Sequence, residues 1–295
     1  MIDLSNLDIK SEEFSCHLPQ CLSILDEICN IKSLSEALGI TVEINLSKNL
    51  LRHANFLSLI SSMWSLSSEI NFSCCGITSM QMIEMKHSTP IANESTSYLN
   101  STVTHINLKC NYFFANYLEK SSPHPTSINC FESPEQLFEA LTRYYESSCD
   151  YSCVNNELHK LFNIAAIDAW YCFLVYIFCG YSHHDVDSRC GSATQIRSVL
   201  QHFDCSNCAR NVREMIVLAA GVFVICKKRI EMGLGRPRYV NLRSAGLANT
   251  RYGSFSGTKL EKEQLSALDM RIRCELCVSA NDEDGEYQEF EYVFD

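Results

Sequence analysis

Two Cys-x-x-Cys pairs, Cys205/Cys208 and Cys274/Cys277, are the first residues here whose type and spacing suggest chemistry. A structural zinc site takes four soft ligands, and Cys-x-x-Cys delivers two thiolates from one tight turn. The 65 residues between the pairs far exceed the spacing of zinc ribbons. Chance alone yields roughly one Cys-x-x-Cys from 17 cysteines in 295 residues. Buried, reduced thiols acting as small hydrophobes are therefore the expectation. A structural zinc on Cys205, Cys208, Cys274 and Cys277 is the alternative.

Between the pairs lies a basic stretch. Residues 1–188 carry 9 basic and 21 acidic residues, residues 189–273 carry 15 and 6, and residues 274–295 carry none and 8. The overall charge of −11 thus conceals a segment of +9. Its core is Lys227, Lys228 and Arg229, followed by Arg236, Arg238, Arg243 and Arg251 in a Gly- and Arg-rich run. Arginine forks suit phosphates and carboxylates, and Tyr239 or Tyr252 could stack on bases. These seven residues are the expected contact with an anionic partner, either RNA or an acidic protein surface. The competing reading is structural: Lys227 to Arg229 close a helix C-terminus, and the other arginines pair with the chain's own carboxylates.

His159, His184, Asp185 and Asp269 resemble the ligand set of HD-type metal phosphohydrolases, which would imply a helical, metal-dependent hydrolase. Arg197-x4-His202 resembles the motif of HEPN-type ribonucleases. Neither set has supporting sequence around it. Asp168 interrupts an apolar helix and reads as a salt-bridged or solvent-facing position. No Gly-x-Ser-x-Gly elbow, phosphate-binding Gly-rich loop or His-Glu-x-x-His occurs, and no catalytic residue is assigned.

The elements that must position these residues read as follows. Proline is absent from Glu135 to Arg236, which predicts a largely helical stretch. Ser133, Pro134 and Gln136 form a helix start, with Leu137, Phe138, Leu141 and Tyr145 at helical spacing. Further helices are predicted over 156–179, 192–203, 211–232 and from 258 onward, with Leu22–Leu38 and Asn49–Leu66 earlier. Ile40–Leu46, Val103–Cys110 and the acidic tail from Glu286 alternate as strands do. No internal repeat is evident. The fold class expected is α+β, predominantly α-helical, with a mixed N-terminal part and a helical C-terminal part. The segments are 1–125, 126–280 (holding the basic module 189–273) and an acidic strand or tail at 281–295.

The apolar runs Ala169–Cys179 and Met215–Cys226 are shorter than the roughly 20 residues that span a bilayer, so no membrane contact is expected. Met1–Lys10 lacks a basic-then-apolar leader, which points to a cytoplasmic or virion setting rather than secretion. Together these features predict a non-enzymatic assembly protein docking onto a larger protein partner, such as a capsid-associated clamp. The RNA-binding module and the phosphohydrolase are the alternatives.

Overall fold

A computed structural model describes residues 1–7, 30–51, 67–78, 103–114, 134–147, 162–179, 199–235, 237–243, 259–276 and 291–293, with a few single positions between. Its seven strands are very short: β1 Ile2–Asp3, β2 Glu43–Asn45, β3 Glu69–Asn71, β4 His105–Asn107, β5 His202–Asp204, β6 Tyr239–Asn241 and β7 Glu291–Val293. They form one sheet in sequence order, every neighbour parallel. The register is constant: Ile2, Ile44, Ile70, Ile106, Phe203, Val240 and Tyr292 lie in one row. Sequential, parallel and in-register strands make a solenoid, in which each coil contributes one strand and contacts its neighbours.

The predominantly α-helical α+β expectation is thereby corrected to α/β, a parallel sheet with helices packed against it. The physical reason lies in the strands. A three-residue strand buries one side chain and exposes two, too short a run for alternation to stand out against helical periodicity. Strand β5 falls inside the proline-free stretch predicted as helix, and β6 inside the Gly- and Arg-rich run. The sheet also crosses all three segments drawn from composition.

A repeat is present after all. Ile44-Asn-Leu-Ser-Lys-Asn49, Ile70-Asn-Phe-Ser-Cys-Cys75, Ile106-Asn-Leu-Lys-Cys-Asn111 and Phe203-Asp-Cys-Ser-Asn-Cys208 share one pattern. The first and third residues point into the core (Ile44 and Leu46, Ile70 and Phe72, Ile106 and Leu108, Phe203 and Cys205), all nearly inaccessible. The second is always Asn or Asp. Its Oδ1 accepts the N–H two residues on, in six successive coils from Asp3 to Asn241. The fifth residue, Lys48, Cys74, Cys110 or Asn207, takes a left-handed conformation with φ of 56–61°, as Asn6 does at 53°. Such φ values are uncommon outside glycine, so their recurrence marks one turn used repeatedly.

The sixth residue closes each coil from inside. Asn49 Nδ2 donates to Leu46 O of its own coil and Leu4 O of the coil before. Asn111 Nδ2 does the same with Leu108 O and Phe72 O. Cys75 and Cys208 stand in the same position, their thiols donating to Leu46 O and Leu108 O of the preceding coils, each at 3.1 Å. Buried carbonyls that the short strands leave without a partner are thus satisfied by a ladder alternating Asn, Cys, Asn, Cys.

Five helices are described: α1 Ile31–Leu38, α2 Pro134–Glu146, α3 Ile164–Cys179, α4 Val212–Glu231 and α5 Lys259–Leu276. Pro134 opens α2, in line with the predicted start. Helix α3 is buried almost all round. Trp170 meets Phe113 at 5.1 Å between ring centroids, and Phe178 meets Phe203 edge-on at 4.8 Å, so α3 seals the coil interior. Helix α4 packs on α3, α2 and α5. It begins at Asn211, whose side chain accepts Glu214 N, while the buried Glu214 carboxylate holds Arg210.

The α3–α4 contact depends on Gly221, where an added Cβ would lie 2.8 Å from Trp170 Nε1 and 3.0 Å from Leu174 Cδ1. Gly221→Ala should destabilise the chain by about 1–3 kcal/mol through overpacking, despite alanine's better helix propensity. A rise in the urea midpoint of this variant would show that α3 and α4 do not approach this closely.

Candidate functional site

The helices cover one face of the sheet and leave the other accessible. Because side chains alternate along a strand, the residues flanking each buried row member point outward together. They form two parallel rows. The first reads Glu43, Glu69, His105, His202, Tyr239; the second reads Asn45, Asn71, Asn107, Asp204, Asn241. All ten are half-buried. Most of them line a shallow concavity of about 260 Å³ running across β2 to β6.

The first row has internal order. His105 and His202 stack with ring centroids 4.1 Å apart and planes 14° from parallel. Tyr239 lies next in the row, its ring centroid 5.8 Å from that of His202 and its plane tilted by 33°. On the other side, His105 Nδ1 lies 2.7 Å from Thr104 Oγ1 and 4.0 Å from Glu69 Oε1. The row therefore passes from two carboxylates through three aromatic rings. Across the sheet Tyr239 is in register with Glu291 of β7, while the exposed Arg238 and Arg243 flank β6 along the strand. In the second row, Asn45 Nδ2 donates to Asp3 Oδ1, and Asn241 Nδ2 to Asp204 Oδ2.

The residues of this face lie far apart in the sequence and meet only through the strand register. His202, which its sequence places at a helix end and in Arg197-x4-His202, stacks on His105, 97 positions earlier in the chain. Tyr239 sits in the row rather than in a loop. The signal that could have found the face is the repeated apolar-(Asn/Asp)-apolar hexapeptide, which places the residue before each copy on the exposed row.

The basic module is divided by the fold. Arg238 and Arg243 are exposed at the rim of the face. Lys227 pairs with Glu275 at 3.5 Å and lies over the Phe223 ring. Partial burial pushes the Glu275 carboxyl up, but its hydrogen bond and charge contact with Arg271, helped by Lys227, outweigh this and hold it below the usual range. Arg229 is 1% exposed. Its guanidinium donates to Phe178 O at the end of α3 and to Leu234 O and Gly235 O of the turn after α4. Burial lowers its pKa, which marks desolvation rather than a place open to an anion. Lys228 is half-buried on α4. Arg236 and Arg251 lie outside the described residues.

The four cysteines are likewise not brought together as a set. Cys205 is a core position of the fifth coil and Cys208 its ladder position, so their spacing comes from the coil. Burial raises the Cys205 thiol well above its usual range, and the Cys208 thiol is used as a donor to a carbonyl. Cys274 is exposed on α5, and Cys277 lies outside the described residues. No group of three or more His, Cys, Asp or Glu that could hold a metal ion occurs among the described residues.

Of the phosphohydrolase-like set, Asp269 is bound to Arg273 on α5, and His159, His184 and Asp185 lie outside the described residues, as does Arg197. Asp168 is buried on α3, 3.9 Å from the Cys172 thiol, not solvent-facing. No described helix is long and apolar enough to cross a membrane. The tail pairs as β7 with β6, completing the chain's own sheet. No family model, curated protein or solved structure matches this chain.

Proposed function

We propose that the chain is a non-catalytic docking scaffold that receives an extended segment of a protein partner across the exposed face of its sheet. The observation that carries this reading is the continuous row Glu43, Glu69, His105, His202, Tyr239, which presents two carboxylates and then three aromatic rings side by side across the concavity. The buried pattern supports it. Apolar-x-apolar-x-x-(Asn/Cys) is the pattern of leucine-rich repeats, solenoids whose strands line a horseshoe and whose repeat stacking creates extended binding surfaces. The row offers large, half-buried rings that can bury area at low entropic cost, as binding hot spots do. Its charge order selects a segment with a basic group over Glu43 and Glu69 and an aromatic or apolar group over the rings.

The test is selection of peptides from a displayed library on the immobilised full chain. Peptides with that charge order are expected, and their affinity should fall about tenfold or more in His202→Ser/Tyr239→Ser and in Glu43→Lys/Glu69→Lys. Lys228→Ala should leave binding unchanged. Peptides that bind these face variants as well as the parent chain would overturn the reading. So would salt-sensitive polyuridylate binding lost with Arg238→Ala/Arg243→Ala while no peptide is selected, which would favour RNA.

A further inference from the structure

We propose that Cys74 and Cys110 are a redox-modification site, closing a reversible disulfide between the third and fourth coils in exchange with a low-molecular-weight disulfide of the glutathione class. Asn71 and Asn107 are register partners, and the ladder continues beyond them through Phe72 N to Asn107 O and Cys74 N to Lys109 O. Three residues past the register pair on each strand, Cys74 and Cys110 therefore stand opposite one another. Both hold the same left-handed conformation, φ 59° and 60°, so their side chains leave the backbone in the same direction. Neighbouring strands are about 4.8 Å apart, within the Cα separation that a disulfide accepts.

The two thiols already interact: burial pushes the Cys110 thiol up, and the charge and hydrogen bond of Cys74 push it further. Cys74 is exposed and Cys110 partly so, whereas the adjacent Cys75 is buried, its thiol raised to about 12 and donating to Leu46 O. Parallel rather than converging side chains make for a strained bond, and strained, exposed disulfides are the readily reduced, regulatory kind.

The exchange balances without any other reactant. The Cys74 thiolate attacks one sulfur of the small disulfide, breaking its S–S bond and releasing one small thiol. The Cys110 thiolate then attacks Cys74 Sγ, forming the intercoil bond and releasing the second small thiol. The two protein thiol protons end on the two released thiols. The small disulfide is reduced and the cysteine pair oxidised.

The test uses the full chain, purified reduced, freed of reductant and treated with oxidised glutathione, followed by alkylation and peptide mapping with fragmentation. A Cys74–Cys110 linked peptide is expected, together with release of two small thiols per linked chain and reversal by dithiothreitol. In Cys110→Ser the reaction should halt at a glutathione adduct on Cys74, and in Cys74→Ser the residue Cys110 should stay unmodified. A persistent adduct on Cys74 in the parent chain, linkage of Cys74 to any other cysteine, or no reaction at Cys74 would each overturn the proposal.

Discussion

Replacing Asn111 with alanine should cost about 4 kcal/mol or more, a large share of the 5–15 kcal/mol that stabilises an ordinary domain. The side chain is wholly buried. It satisfies four backbone groups at once: Oδ1 accepts Cys75 N and Ile77 N at 3.1 and 3.0 Å, and Nδ2 donates to Phe72 O and Leu108 O at 2.8 Å each. Alanine removes the acceptor of two buried N–H groups, each loss costing about 1–3 kcal/mol, takes one donor from Phe72 O and one from Leu108 O (which keeps the Cys208 thiol), and leaves a small cavity. The ladder itself supplies a control. Asn111→Cys should fall between parent and alanine, because a thiol can donate to Phe72 O as Cys75 and Cys208 do in their coils, yet cannot accept both N–H groups. Urea midpoints measure the order. Equal losses for alanine and cysteine would show that the carbonyl bond across coils contributes little.

The second large effect belongs to Arg229. Arg229→Ala should destabilise the chain by about 3 kcal/mol, from a vacated volume beneath α4 and three carbonyls left without their donor. Lys228→Ala should change stability by less than about 1 kcal/mol. Denaturation separates this from the anionic-partner role first suggested by the Lys-Lys-Arg run. A variant of unchanged stability that lost affinity for polyanions would restore Arg229 to the binding surface. The structure instead uses its charge to close the C-terminus of α3, where a cation also meets the helix dipole favourably.

Sequence and structure agree where burial leaves a long signature. The apolar runs in α3 and α4 are buried helices, α2 starts at Pro134, and Ile40–Leu46, Val103–Cys110 and the tail each contain a strand. The solenoid was hidden for two reasons. Its strands are three residues or fewer, so each coil shows its identity in one hexapeptide rather than in periodic hydrophobicity. The hexapeptides also recur at intervals from 26 residues (Ile44 to Ile70) to 97 (Ile106 to Phe203), because helices α2 and α3 are inserted in one coil. A repeat search at fixed period fails on such a chain. The site was harder still to read, since His105, His202 and Tyr239 become neighbours only through that register. Conversely, Cys205 and Cys208 have the spacing of a metal-ligand pair because the coil places a core residue and a ladder residue three apart.

The most direct test of the docking surface is hydroxyl-radical footprinting of the full chain with and without a selected peptide, read at side-chain level by mass spectrometry. His105, His202 and Tyr239 are expected to be protected together, while the exposed Ile230 and Met232 at the end of α4 are unchanged. Protection confined to the segment from Lys227 to Met232, with the three rings as reactive as in the free chain, would contradict it.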